Sequence, residues 1–373
     1  MTTITLNKTE ITTAVATAQR FAALRESDFA GKITIVGKDG KIEVKASNIE
    51  QSIILKEISF VSSDLTEDSF LPFSVDAKRL LTVLKAAKTD EVQIELHDEL
   101  LVVKSGRSKV KVETLANTQE IEIVNSGKQF DIKEQLDAMQ QVLHAVDSNN
   151  PRYELNGVLL QAKDGTFNVV GTDTKRLAVV TTDTDSNDFE VVIPRKGIEA
   201  ILKLFKGFDV MAEIDEQSLT IHTETLSYSV RLINAKYPEW RRIVPQTFTQ
   251  KIVIPTDELK AITQEASIFE KEVVVEINNN KIRVTDFNND TEVIDSYATD
   301  NINMRFGINS QSLIDFLDSC NEDKIQICFN EGNMPIMLVA NPNYKEIVMP
   351  LIAPEVETAK EENNDDKTNL KAA

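Results

Sequence analysis

Apolar and polar residues follow one short pattern that recurs six times along the chain. Two apolar residues share one face of a strand, a residue suited to a helix start comes next, and a further apolar residue turns the helix inward. Each copy therefore predicts a strand followed by a helix. Five copies keep the same spacing: Ile4, Leu6, Asn7, Ile11; Phe73, Val75, Asp76, Leu80; Val191, Ile193, Pro194, Ile198; Ile252, Ile254, Pro255, Leu259; and Phe306, Ile308, Asn309, Leu313. The sixth copy is one residue shorter and lacks the capping residue: Phe130, Ile132, Lys133, Leu136.

The copies fall into two interleaved sets with regular spacing. One set begins at Phe73, Val191 and Phe306, which lie 118 and 115 residues apart. The other set begins at Ile4, and its members lie 126 and 122 residues apart. Such a period indicates similar domains in tandem. We predict three domains and a disordered polar tail, with the bounds 1–124, 125–247, 248–354 and 355–373.

Between the helix units the sequence alternates apolar and polar residues and is interrupted by turn residues. The segments 33–44, 92–102 and 273–284 each read as a hairpin of a half-buried antiparallel sheet. Each domain thus contains two copies of a half-unit made of a strand, a helix and further strands. The predicted fold class is α+β, with three similar domains of this kind.

Charge and cysteine content narrow the function classes. The chain has 373 residues, 60 acids and 41 bases, and a formal net charge of −19, which argues against a surface that wraps nucleic acid on all sides. Cys320 and Cys328 form no disulfide framework, and this indicates a reducing compartment. The first ten residues do not resemble a secretion signal, and no apolar run reaches the length of a membrane span. These features predict a soluble cytoplasmic protein with no membrane partner.

Residues with catalytic or metal-binding potential do not assemble into a motif. His97, His144 and His222 stand in unlike contexts without partners at metal or triad spacing. The segment 183–194 starts like a calcium loop but has Asp188 and Pro194 where such a loop needs Gly and Glu. We find neither a P-loop nor a dinucleotide fingerprint. The sequence therefore favours a binding protein without metal or cofactor over an enzyme.

Two alternatives remain open at this point. The first is a metal-dependent hydrolase that uses Asp173, Asp183 and Asp185, which requires the three carboxylates to converge. The second is an adaptor built from repeats that binds peptides and ignores DNA.

Basic residues concentrate on two helices at equivalent repeat positions. The predicted helix 77–88 carries four bases and no acid, and the predicted helix 195–206 carries four bases and one acid. In so acidic a chain, this recurrence indicates a local face that meets phosphates. The third equivalent, residues 310–319, has two acids and no base, so the bias is incomplete.

Several segments resemble one known family in the order in which the family carries them. The segments 152–157, 171–178 and 193–197 read RYELNG, GTDTKRLA and IPRKG, and they resemble the middle domain of the bacterial DNA sliding clamps, the beta subunits of DNA polymerase III. SGRS at 105–108, YPEWRR at 237–242 and VMP at 348–350 are similar to further clamp segments. The resemblance covers residues 1 to about 354. It implies a head-to-tail homodimeric ring with antiparallel sheets outside and helices lining the hole.

The resemblance also implies which residues meet duplex DNA without reading its sequence. The candidates are Arg25, Lys78, Arg79, Tyr153, Arg195 and Lys196. Dimer contacts are expected from residues of an edge strand and from two apolar residues of the third domain: Arg107, Lys109, Val110, Val112, Ile268 and Phe269.

Partner proteins of the family insert a short peptide into a hydrophobic pocket between the second and third domains. The expected partners are the replicative polymerase, the clamp loader, repair polymerases and other proteins that carry the peptide motif. The sequence differs from a common family pattern at Thr174 and Lys175, where Gly and His are frequent, and at Ile352, where Arg is. Carried over by position, the pocket residues are Leu155, Thr172, Thr174, Lys175, Arg176, Leu177, Pro238, Arg242, Ile243, Pro335, Ile347, Met349, Pro350 and Leu351.

Overall fold

The computed structural model describes residues 2–22, 30–64, 70–97, 99–115, 118–124, 127–278, 281–288, 292–296, 302–331 and 333–354. Arg25 and the predicted tail 355–373 lie outside these ranges. The chain divides into two compact units: unit 1 comprises residues 1–244 and 342–346, and unit 2 comprises 245–341 and 347–373. None of the helices in the described ranges combines the length and the apolar character needed to cross a membrane.

Six helices begin where the repeated pattern predicts them within the described ranges. The side chains of Asn7, Asp76 and Asn309 accept hydrogen bonds from the first-turn amides, and Pro194 and Pro255 occupy the capping positions of two others. The shortened copy begins without a side-chain cap. The helices are α1 Lys8–Ala18, α2 Ala77–Ala86, α3 Lys133–Val142, α4 Arg195–Phe205, α5 Thr256–Ala266 and α6 Ser310–Ser319.

The helices pack in consecutive pairs: α1 on α2, α3 on α4, and α5 on α6. A lysine links the two helices of every pair. Lys8 Nζ of α1 donates to the carbonyl of Ala87 at the end of α2, at 2.5 Å. Lys206, which follows α4, donates to Gln140 of α3, and Lys260 of α5 pairs with Asp318 of α6.

Unit 1 contains two predicted domains and one sheet that runs through both. Eight strands of the first domain close on themselves, because β1 pairs with β6 on one side and β4 on the other. These strands are β1 Thr2–Asn7, β2 Lys32–Lys38, β3 Lys41–Ser47, β4 Gln51–Ser63, β5 Phe70–Asp76, β6 Glu91–His97, β7 Leu100–Ser105 and β8 Ser108–Leu115.

The second domain continues this sheet in the order β16, β15, β14, β9, and β16 pairs antiparallel with β4 over Leu226–Val230. Another sheet runs in the order β13, β10, β11, β12, and residues 342–346 lie beside β12, where the Thr181 amide donates to the Asn343 carbonyl. The strands are β9 Lys128–Asp131, β10 Gly157–Lys163, β11 Thr166–Thr172, β12 Arg176–Asp183, β13 Phe189–Pro194, β14 Met211–Ile214, β15 Ser218–His222 and β16 Leu226–Arg231.

Unit 2 repeats the same construction. One sheet has the order β17, β22, β23 and the other has the order β20, β19, β18, β21. The strands are β17 Gln250–Pro255, β18 Glu272–Asn278, β19 Lys281–Asp286, β20 Glu292–Ser296, β21 Met304–Asn309, β22 Lys324–Phe329 and β23 Ile336–Val339. The last strand, β24 Tyr344–Val348, begins in unit 1 and ends in unit 2. The three-domain division itself stays a prediction.

Candidate DNA and partner surfaces

Helix α2 separates apolar and basic residues on opposite faces. Its buried residues, including Leu80 and Leu84, recur at helical spacing and pack into the core. Lys78, Arg79 and Lys85 are exposed on the other face. Arg79 approaches the carboxylate of Glu113 at 3.9 Å, and an exposed pair at this distance holds the guanidinium weakly. The outer face of α2 therefore offers positive charge to an anionic ligand.

Helix α4 repeats this division in the second domain. Ile198, Ile201 and Phe205 are buried, whereas Lys196 and Lys203 are exposed. Gly197 lets the helix lie close to the sheet, because a Cβ at this position would stand 2.7 Å from the Val230 Cγ2 atom. The position of α4 against the sheet is therefore fixed by close packing, and so is the position of the lysines that it carries.

Arg195, the first residue of α4, has a different environment from Lys196. Its guanidinium donates to the carbonyl oxygen of Leu143 at 3.1 Å, to that of Val146, and to Glu199 Oε1 at 3.0 Å. Arg195 is half-buried, whereas the side chain of Lys196 is exposed. The two adjacent DNA candidates therefore differ in how far the protein already satisfies their charge.

Tyr153 projects from a loop that its own polar side chains hold together. Asn156 Oδ1 accepts a hydrogen bond from the backbone N–H of Asn150 at 2.6 Å, and Asn150 Nδ2 donates to Asp147 Oδ2 at 3.1 Å. The backbone N–H of Asn149 and the side-chain amide of Asn150 hold the pKa of the Asp147 carboxyl below its usual range. Tyr153 itself is 75% exposed and lines a cleft of about 610 Å³ together with Arg195 and Lys196.

The helices of unit 2 lack the excess of bases found on α2 and α4. Helix α5 carries Asp257, Glu258 and Glu265, and its Lys260 is paired with Asp318 of α6. Helix α6 carries Asp315 and Asp318 and no base. The structure therefore agrees with the incomplete charge bias that the sequence predicts.

Five of the unit 1 candidates for partner binding belong to the tight turn 172–177, which joins the end of β11 to the start of β12. Asp173 Oδ1 accepts the amides of Lys175 and Arg176 at 2.9 and 3.0 Å, and Thr172 Oγ1 donates to the Arg176 carbonyl at 2.6 Å. Leu155, Thr172 and Leu177 are buried, Arg176 and Pro238 are half-buried, and Thr174, Lys175, Arg242 and Ile243 are exposed.

Backbone strain in this turn concentrates at Thr174, which has φ +77°. A β-branched side chain is crowded in the left-handed region, and this explains why glycine suits the position.

We expect Thr174→Gly to raise the free energy of unfolding by about 0.5–1 kcal/mol, since strain relief exceeds the added flexibility of the unfolded chain. Thr174→Val keeps the branch and should bring no such gain. Urea unfolding of both variants tests this, and equal stabilities would refute the strain.

The unit 2 candidates lie in or just after β24 and on a separate loop. Ile347 is buried, whereas Met349 is 46% exposed. The Leu351 amide donates to the Gly307 carbonyl at 2.8 Å, which fixes the backbone after β24. Pro335 and Pro350 are half-buried. Met349 therefore offers a flexible apolar side chain on a tethered backbone.

The dimer candidates lie on or just before strand β8 of unit 1 and on a loop of unit 2. Strand β8 pairs with β7 along its length but with β5 at Leu115 and Thr114 alone. Arg107, Lys109 and Val110 are exposed, and Val112 is buried. Ile268 and Phe269 are 66% and 74% exposed. Unpaired strand backbone and exposed apolar side chains are features that a partner chain covers.

The carboxylates required by the hydrolase alternative do not form a shared site. Asp173 caps its own turn and pairs with Arg176 at 3.1 Å. Asp183 and Asp185 line a cleft to which Asp173 does not contribute. Within the described ranges, no three His, Cys, Asp or Glu side chains are placed to hold a metal ion.

Sequence reasoning missed a buried contact between a histidine and a glutamate. His144 Nε2 lies 2.6 Å from Glu346 Oε2, and the Glu346 side chain is 0% exposed. The sequence interpretation treated His144 as an ordinary residue. The available signal was Glu346 itself, because it stands in β24 between Tyr344 and Val348, at a position that alternation directs inward.

Two family models match the chain. The model described as DNA polymerase III beta subunit, central domain, matches residues 129–239, and the model described as DNA polymerase III beta subunit, C-terminal domain, matches residues 241–364. The chain is also similar to the beta sliding clamp of Haemophilus influenzae, with 22% identity over 317 residues that cover 81% of this chain and 83% of that protein. The beta sliding clamp of Proteus mirabilis is 25% identical over 282 residues, 70% and 76% of the two chains.

Solved structures with the same fold confirm the predicted fold class. The Helicobacter pylori beta clamp bound to a DNA ligase peptide has a TM-score of 0.86 at 21% identity, over 94% of this chain and 99% of that chain. The DNA polymerase sliding clamp from Bacillus subtilis has a TM-score of 0.85 at 17% identity, with the same coverage. Because two models of one family together match more than half of the sequence, the chain belongs to the bacterial DNA polymerase III beta subunits, the beta sliding clamps.

Proposed function

We propose that this chain acts as a DNA sliding clamp, a non-catalytic processivity factor for DNA polymerase III. Two copies form a ring around duplex DNA, and the ring tethers the replicative polymerase, the clamp loader and other proteins that carry a peptide motif. Family membership is the observation that carries the proposal. Two free cysteine thiols, one of them buried, suit the reducing cytoplasm, where we place the protein.

The distribution of charge supports sliding rather than sequence reading. Exposed bases on α2 and α4 suit phosphate oxygens, which carry no sequence information directly. Because the whole chain carries a net charge of −19, direct affinity for DNA should be weak and strongly salt-dependent. Retention on DNA must then come from enclosure.

Strand β8, which meets β5 at two residue pairs, and the apolar pair Ile268 and Phe269 support closure by a second copy of the chain. A two-fold ring would cover both surfaces at once and remove an exposed edge that promotes aggregation. Light scattering at micromolar concentration should give the mass of a dimer.

The decisive experiment compares retention on nicked circular DNA with retention on the same DNA after linearisation, with a clamp loader supplied. We expect the protein to stay on the circle and to leave the linear form by its ends. Tight binding to short linear duplex that persists at high salt would contradict enclosure.

Removing two exposed bases should weaken loading while leaving the dimer intact. We expect Lys78→Ala with Lys196→Ala to reduce the loaded fraction about threefold to tenfold at moderate salt, because each lost phosphate contact lowers the electrostatic term. The matched control is Lys38→Ala with Lys163→Ala, which removes the same charge at strand ends in the hairpins. Equal loading by both double variants would show that α2 and α4 do not form part of the DNA-binding surface.

A further inference from the structure

Arg195 holds a turn that also carries the buried pair described above. The 3₁₀ turn Leu143–Ala145 and the following Val146, here called the 143–146 turn, join α3 to the Tyr153 loop. Arg195 donates to the carbonyl oxygens of Leu143 and Val146, at the two ends of this turn. Its guanidinium therefore supplies donors to carbonyl oxygens at the end of a helical segment.

Arg176 meets the same turn from the partner-binding side. Its terminal nitrogen donates to the carbonyl oxygen of His144 at 2.7 Å, and its Nε donates to Asp173 Oδ2 at 3.1 Å. The side chain of Arg176 is largely buried. The direction of its guanidinium thus depends on where the 143–146 turn places the His144 carbonyl.

The His144 side chain fixes the turn to a third element. Its Nε2 lies 2.6 Å from the buried carboxylate of Glu346 on β24, one residue before Ile347. The Tyr344 hydroxyl donates to the Gln141 carbonyl at 3.1 Å, just before the turn. Two side chains of β24 therefore hold the end of α3 and the turn that follows it.

Close packing gives the turn little freedom to move without its neighbours. A Cβ on Gly171 of β11 would stand 2.7 Å from the Val142 carbonyl and 2.8 Å from Val146 Cγ2. A shift of the turn must therefore displace β11 or the contacts of Arg176.

We propose that Arg195 is a positioning residue for the partner-binding turn 172–177, acting through the carbonyls of the 143–146 turn, and that the phosphate contacts of α4 are made chiefly by Lys196. This inference rests on the proposed function, because it assumes that the 172–177 turn receives partner peptides. Removing the Arg195 guanidinium takes one donor from the Val146 carbonyl and leaves the Leu143 carbonyl with the Val146 backbone N–H at 3.2 Å. The turn then relaxes, and Arg176 loses the fixed direction in which it meets a peptide.

The test measures binding of a fluorescein-labelled peptide, taken from the clamp-binding segment of the same organism's replicative polymerase and called the polymerase peptide below. Full-length wild type, Arg195→Ala, Arg195→Lys and Arg231→Ala are titrated by fluorescence anisotropy in the absence of DNA. Arg231 is the matched control, since it is an exposed arginine of unit 1 on β16. We expect about threefold to tenfold weaker binding for Arg195→Ala, as for lost support of a binding residue. Arg231→Ala should bind as wild type does.

The Arg195→Lys variant distinguishes the hydrogen bonds that Arg195 makes to the turn from the effect of its positive charge. Lysine keeps the positive charge but lacks the planar fork that reaches two carbonyls, so its affinity should stay near that of Arg195→Ala. Restoration of wild-type affinity by lysine would overturn the inference in favour of simple attraction between charges. The NMR signal of the Arg176 Nε–H should shift in both Arg195 variants and stay unchanged in Arg231→Ala. An unchanged signal would overturn the inference even if the variants were less stable.

The outcomes distinguish the two proposals. If wild type fails to bind the polymerase peptide, the proposed function fails and the inference falls with it. If wild type binds and Arg195→Ala binds equally well, the inference alone is wrong. A selective loss in the Arg195 variants, with the melting temperature of the dimer within a few degrees of wild type, supports it.

Discussion

Gly171→Ala should lower the free energy of unfolding by about 2 kcal/mol, because the added methyl group overpacks a rigid site. The new Cβ would lie 2.7 Å from the Val142 carbonyl, which belongs to a helix end and cannot rotate away. Reduced flexibility of the unfolded chain offsets about 0.5–1 kcal/mol of the clash. Urea unfolding monitored by circular dichroism gives the difference.

Gly165→Asn provides the control for a glycine in the same domain. Gly165 has φ +75°, and a Cβ there meets no atom within 4 Å. Asparagine tolerates this backbone region, so the stability should change by less than about 0.5 kcal/mol. If Gly171→Ala proved as harmless as Gly165→Asn, the close packing between β11 and the end of α3 would be wrong.

Met349→Ala should weaken binding of the polymerase peptide by about 1–3 kcal/mol, roughly fivefold to 150-fold, because a few apolar anchors usually supply most of the binding energy. Met349 is 46% exposed, so its truncation leaves no large internal cavity and the fold should survive. Calorimetric titration gives the affinity, and melting curves give the stability.

Met334→Ala is the matched control for this prediction. Met334 also lies in unit 2 and is 42% exposed, but it is not among the residues predicted to line the pocket. Its truncation should leave peptide affinity unchanged. Equal affinities for both variants would place the partner site elsewhere, and a collapsed melting temperature for Met349→Ala would make it a core residue.

The fold was predictable because local and long-range signals agree. Asn7, Asp76 and Asn309 start helices through a contact with their own first turn, so the capping position can be recognised from nearby residues. Strand alternation and turn residues then fill the intervals between helices. The regular spacing of the six copies then indicates that the domains are repeated.

The site was less predictable because its contacts join residues far apart in the sequence. His144 and Glu346 are separated by 202 positions, and Arg195 reaches carbonyls 49 and 52 positions earlier. No local sequence pattern distinguishes Arg195, whose guanidinium is hydrogen-bonded to the 143–146 turn, from Lys196, whose side chain is exposed. Residue type indicated a basic helix correctly, whereas the environment of each base required the structure.

The pairing of β4 with β16 has a consequence for how this chain diverges. Its register joins Gln51–Leu55 to Leu226–Val230 through main-chain groups, which every residue except proline supplies alike. Substitutions along this seam can accumulate without breaking it, provided that the alternating burial is kept. Backbone pairing of this kind tolerates many side-chain substitutions while the connection between adjacent repeats is retained.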